Sequence, residues 1–162
     1  MQHSAGMFAL WSHPEVCRYA GPVADYDRNP IPMPAANAAA SDLIIDFWLR
    51  AAADGWGMRW AIEDRATSAF RGIVGYNSLT TCAEIAYHLL PAFWGQGMMH
   101  EAAQRAIDDR RAAGVRQIEA FIEPANAASI ALAERLGLSP QPEFSEGAQR
   151  YLMTLSADTA NA

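Results

Sequence analysis

The chain has 162 residues, about half of them hydrophobic, which suffices for one domain with a proper core and is too short for two of ordinary size. A formal net charge of −6 offers no basic excess to displace counterions from phosphates, so it argues against nucleic acid as a partner and loosely favours cationic ligands. Cys17 and Cys82 show neither metal-ligand spacing nor a secreted disulfide pattern, and no segment reads as a leader or a bilayer span. The expectation is a cytoplasmic protein, one domain over residues 1–162, with reduced thiols, no metal and no membrane partner.

Ser4 caps a short predicted helix that carries Met7, Leu10 and Trp11 on one face and ends at His13-Pro14. Pro22, Pro30, Pro32 and Pro34 then fix φ and remove donors, so residues 21–34 read as a loop. The helical spacing of Ile44, Phe47, Trp48 and Ala51 predicts a second helix over residues 36–54, stopped at Gly55. After it the period changes. Residues 56–63 and 70–79 read as strands joined by the turn Asp64-Arg65-Ala66-Thr67-Ser68, and residues 83–90 as a third strand. Met99, Ala102, Ala103, Ala106 and Ile107 form an apolar helical stripe of mostly small side chains that ends near Gly114. A strand over residues 116–122, a helix over 127–136 stopped by Gly137, and a hairpin through 143–155 complete the chain.

Between the third strand and the third helix stands Phe93-Trp94-Gly95-Gln96-Gly97-Met98-Met99. Backbone N–H groups at a helix start have no internal partner and sit at the positive end of the helix dipole, so they favour a multiply charged anion. Gly95 and Gly97 permit positive φ and a close approach of that anion, although glycine in a strand-to-helix turn also occurs for steric reasons alone. A Rossmann fingerprint wants a third glycine where this chain has His100, and a Walker loop wants Gly-Lys-Ser/Thr, which never appears.

With Ala83-Glu84-Ile85-Ala86-Tyr87-His88-Leu89-Leu90-Pro91 before this loop and Ile118-Glu119-Ala120-Phe121-Ile122-Glu123-Pro124-Ala125-Asn126-Ala127-Ala128-Ser129 after it, the chain resembles the GNAT acyltransferase superfamily. The resemblance runs from about Met7 to Leu155 and is closest to the Rim-type branch, which acetylates protein N-terminal amines and small amines. It implies an α/β (α+β) fold, a central mixed, mostly antiparallel sheet flanked by helices. The family normally begins with a strand before its first helix, and with this sequence starting almost at that helix the expectation is a sheet without that first strand. An uncovered sheet edge presents unpaired amides and carbonyls, which weights the expectation toward a homodimer.

The resemblance also implies the chemistry, transfer of an acetyl group from acetyl-CoA to a primary amine by direct attack in a ternary complex. The amides of Gly95, Gln96, Gly97, Met98 and Met99 would hold the pyrophosphate, and Leu89 and Leu90 would bond the pantetheine arm strand-fashion. Met99 is bulkier than the family's usual Gly or Ala, but lends a backbone amide all the same. Asn126 would contact the pantetheine, though asparagine at this position also reads as an ordinary N-cap. Arg135 would meet the 3′-phosphate, or is simply the cation expected in a helix's last turn. As catalytic candidates, Glu84 would deprotonate the amine and Ser129 would protonate the leaving thiolate. A solvated strand-end charge and a first-turn serine are their plain alternatives. Trp48, Trp56, Trp60 and Tyr76 read as core rather than as a cation cage. The rival from another class is a non-catalytic acyl-CoA-binding or scaffold protein of the same fold.

Overall fold

The computed structural model describes residues 2–156, and in it three helices precede the sheet: α1 (Ser4–Trp11), α2 (Pro14–Cys17) and α3 (Ala38–Ala53). The strands are β1 (Met58–Glu63), β2 (Phe70–Ser78), β3 (Cys82–Leu89), β4 (Gln117–Ile122), β5 (Ser139–Ser145) and β6 (Ala148–Thr154), in the spatial order β1-β2-β3-β4-β6-β5. Helix α4 (Met98–Ala112) crosses from β3 to β4, the one parallel pair; α5 (Ala127–Arg135) follows β4. The other neighbours are antiparallel, giving the mixed α/β sheet flanked by helices that the sequence leads one to expect.

Strand alternation divides the sheet between two cores. Val74, Tyr76, Ile85 and Leu89 pack beneath Met99, Ala103, Ala106 and Ile107 of α4. On the opposite face Ile73 joins Met7, Leu10 and Trp11 of α1 and Ile44 of α3. Ala103 and Ile107 are completely buried, so the small-residue stripe does bring α4 close to the sheet. The start of α3 is held by Asn37, whose side chain accepts from the Ala40 N–H at 3.0 Å.

Two boundaries differ from the sequence reading. Helix α1 ends at Trp11, just before His13-Pro14, but Pro14 also opens the unexpected α2, where its missing N–H is one of the unpartnered donors of a first turn anyway. Strand β5 begins at Ser139, before the predicted hairpin, and includes Pro140 and Pro142. As the outermost strand it tolerates prolines, at the expense of a register shift against β6 between Pro140 and Phe144. At the other edge β1 pairs only with β2, and among the described residues no strand lies outside it.

What positions the site is the incomplete pairing of β3 with β4. Their parallel register runs only from Cys82 to Glu84 and from Gln117 to Glu119, whereas β3 continues to Leu89 and β4 to Ile122. Beyond Glu84 and Glu119 the strands splay, and the gap faces the first turns of α4 and α5.

Candidate active site

The splay opens into a cleft of about 1280 Å³ whose walls include Glu84, Leu89, Gly95, Gly97, Met98, Met99, Asn126, Ser129 and Arg135. Nine of the eleven site residues expected from sequence therefore meet in one cavity. Gln96 is exposed outside its wall and donates its side-chain amide to the Ala92 carbonyl at 2.9 Å. Leu90 packs into the α1–α3 core, and its N–H donates to the Arg71 carbonyl at 2.9 Å, so that amide is already engaged. The Leu89 carbonyl accepts from the Trp94 indole at 2.7 Å. Open strand edge remains nearer to Glu84.

At the start of α4 the chain turns through Gly95 at φ 70° and Gly97 at φ 78°, left-handed conformations that glycine adopts without steric cost. A Cβ at either position would meet nothing within 4 Å, so the backbone there is open to an approaching group. Gly97 supplies no capping side chain, and Glu101 N–H is the donor that bonds the Gly97 carbonyl. The N–H groups of Met98, Met99 and His100 precede it and have no partner within the helix. The Met99 side chain turns into the core, so a large residue at this position does not fill the glycine turn before it.

Asn126 is the N-cap of α5, its Oδ1 accepting from Ser129 N–H at 3.2 Å. The capping role is thus real, and it leaves the amide nitrogen for another partner. Ser129 Oγ lies 2.8 Å from the Tyr87 hydroxyl across the cleft floor. Sequence reasoning did not choose Tyr87 over its neighbour His88. Alternation places Tyr87 toward α5 and His88 toward α1, where its ring lies 4.6 Å from that of Trp11. Burial raises the Tyr87 pKa, so the phenol stays protonated and able to donate.

Burial, with the Arg59 charge adding to it, pushes His88 down to about 4. The unfolded imidazole titrates near 6.5, so below that value the unfolded chain binds the extra proton. The stability His88 contributes is complete above about pH 6.5 and is lost as the pH falls toward 4. His88→Phe keeps a ring against Trp11 and removes the titration. Urea midpoints of this variant are expected to fall less between pH 6.5 and pH 4 than those of the parent chain. An unchanged slope would assign that pH dependence elsewhere.

Glu84 is half-buried and accepts from the Asn77 side-chain amide, whose oxygen in turn accepts from Arg59. Neither Asn77 nor Arg59 stood out in the sequence. Their positions in strands carry no motif, and only the sheet register brings them to Glu84. The aromatic residues divide: Tyr76 is completely buried with Trp60 edge-on against it, as a core reading expects. Trp48 and Trp56 instead line the cleft, with Trp56 40% exposed. Both cysteines are free thiols raised in pKa by burial, and neither lines the cleft. Among the described residues no cluster of His, Cys, Asp or Glu suits a metal ion, and no helix is long and apolar enough to cross a membrane.

The family model of the acetyltransferase (GNAT) domain matches residues 2–139. The uncharacterized N-acetyltransferase p20 of Bacillus licheniformis is 31% identical over 137 residues, covering 81% of this chain and 70% of that protein. The uncharacterized protein YkkB of Bacillus subtilis (strain 168) is 33% identical over 99 residues, and the match spans 56% of each chain, little more than half of the relative's length. Among solved structures, spermidine N-acetyltransferase from Vibrio cholerae in complex with CoA and spermine superposes with a TM-score of 0.72 at 17% identity, over 94% of this chain and 89% of that one. At such identity the superposition speaks for the fold, while the family model and the p20 likeness speak for kinship: the chain belongs to the GNAT acetyltransferase family.

Proposed function

We propose that residues 1–162 act as a single GNAT domain that transfers an acetyl group from acetyl-CoA to a primary amine by direct attack in a ternary complex. The observation that carries this reading is the row of unpartnered N–H groups at the glycine-capped start of α4, opening on the cleft where β3 and β4 part. In this reading the amides from Gly95 to Met99 hold the pyrophosphate, Asn126 and the open edge of β3 between Glu84 and Leu89 hold the pantetheine arm, and Arg135 meets the 3′-phosphate. The arm runs through the splay and so brings the thioester between Glu84 and the Tyr87–Ser129 pair.

Glu84 takes a proton from the incoming ammonium, directly or through water, and the freed nitrogen lone pair attacks the thioester carbonyl carbon. The C–N bond forms, the C–S bond breaks as the tetrahedral intermediate collapses, and the sulfur leaves with a proton from the Tyr87–Ser129 pair. Free thiols fit a cytoplasmic setting, and the outer edge of β1 is open to a second copy.

The test is thermal unfolding of the full chain with and without acetyl-CoA, followed by thiol release on adding amines. At about a hundred times its dissociation constant the ligand is expected to add ~2.7 kcal/mol, or about 5–10 °C. A rise together with amine-dependent thiol release supports the transferase. A rise without release for any amine favours the acyl-CoA-binding protein, and no shift at millimolar ligand overturns both.

A further inference from the structure

Arg59 is a charge in this cleft that the transfer reading leaves without a purpose. Five other arginines, Arg50, Arg71, Arg110, Arg111 and Arg150, each lie within 4.0 Å of a carboxylate. Among the described residues Arg59 has none, and of the seven arginines without one it alone is not exposed. Its guanidinium carbon lies over the Trp48 ring, 3.8 Å from the ring centre, the group donates to the Met58 carbonyl at 2.9 Å and to the Asn77 side-chain oxygen, and the residue lines the cleft. Two of the five N–H donors of a guanidinium are so engaged, which leaves three. Burial pushes its pKa down to about 9 against the pull of Glu84, so it is charged at neutral pH. A cation withdrawn from water with no carboxylate in direct contact is costly, Glu84 reaching it only through Asn77, and a ligand carboxylate would offset that cost.

A second observation points the same way. Trp11 is 4% exposed, lines the same cleft, and its indole N–H has no hydrogen-bond partner. Indole only donates, so what it lacks is an oxygen acceptor. The cofactor's phosphates do not answer either need: the glycine loop follows β3, whereas Arg59 stands on β1, two strands away in the sheet.

We infer that the acceptor is an amine that also carries a carboxylate, an amino acid or a close relative, bound with its carboxylate on Arg59 and its amine toward Glu84. Asn77 holds both ends in place, bonding Arg59 through its oxygen and Glu84 through its nitrogen. The planar fork of Arg59 matches a carboxylate in two parallel hydrogen bonds. Phe47 and Trp56, edge-on to each other at 5.5 Å between ring centres, give the acceptor's apolar portion a wall. A polyamine fits this end poorly, since its second ammonium would face the guanidinium. The chain's net charge of −6 favours cations over the whole surface, and Arg59 sets a single positive group against it at this end of the cleft.

The inference rests on the transferase reading above, and the experiment separates the two. Acetyl-CoA binding to the full chain is measured first by calorimetry, then thiol release with L-phenylalanine and L-leucine, their amides, and spermidine. The acids are expected to exceed their amides in kcat/KM by about tenfold to a hundredfold, the worth of a charged hydrogen-bonded contact. Arg59→Met is expected to bring that ratio to about one while acetyl-CoA affinity stays within about twofold, and Arg59→Lys to keep part of it. Equal turnover of amides or spermidine, an acid preference that survives in Arg59→Met, or acetyl-CoA binding with no acid acetylated would each overturn the inference. Absence of acetyl-CoA binding to the parent chain would sink the transferase reading beneath it. Should Arg59→Met not fold, the acid-to-amide ratio of the parent chain decides alone.

Discussion

Gly97→Glu is expected to abolish acetyl-CoA binding, lowering affinity at least a hundredfold, while the chain stays folded. Gly97 sits at φ 78° immediately before α4, and space around its Cβ position is open. A side chain there is therefore not crowded out. The left-handed backbone costs a non-glycine residue about 1–2 kcal/mol, which a domain of this size tolerates. The loss comes from charge and competition, because a carboxylate at this point reaches the free N–H groups of Met98, Met99 and His100 itself and repels the pyrophosphate. Gly97→Ala serves as the control. It carries the same backbone cost without the charge, and is expected to lose affinity only modestly. Calorimetric titration of both variants decides the matter. Full binding by Gly97→Glu would remove the basis for a phosphate cradle at α4.

Glu84→Gln is expected to lower kcat by about a hundredfold or more, the usual worth of a positioned general base, with acetyl-CoA affinity nearly unchanged. The substitution is nearly isosteric, and the glutamine carbonyl can still accept from Asn77 as the Glu84 carboxylate does. Local structure is thus preserved while the proton acceptor is lost. With no base on the protein, turnover depends on amine already deprotonated in solution. The rate of the variant is then expected to climb with pH toward the pKa of the amine, partly recovering activity. A drop of less than about threefold, or a profile parallel to that of the parent chain, would return Glu84 to the role of a strand-end charge that anchors Asn77.

The glycine turn at the start of α4 was legible in the sequence because its parts are contiguous. A strand, two glycines at fixed spacing and a stripe of small apolar residues specify a turn and a helix start, and the relevant donors are backbone atoms that need no distant partner. The N-cap role of Asn126 was legible for the same reason, and its bond to Ser129 N–H shows it. Leu90 was misjudged because sequence alone does not say on which side of a strand a given amide lies; its N–H bonds back to Arg71. The prolines of β5 concealed a strand that only its place at the sheet edge permits.

Sequence by itself thus determined most of the element order and the glycine-capped start of α4, which follow from local periodicity and backbone freedom, while the mixed sheet was expected from the family resemblance. Tertiary structure decided where β3 and β4 stop pairing, that Tyr87 meets Ser129, and that Arg59, Asn77 and Glu84 form one chain of hydrogen bonds across three strands. Those contacts join residues up to 42 positions apart, and they depend on strand register, which no local pattern in the chain encodes.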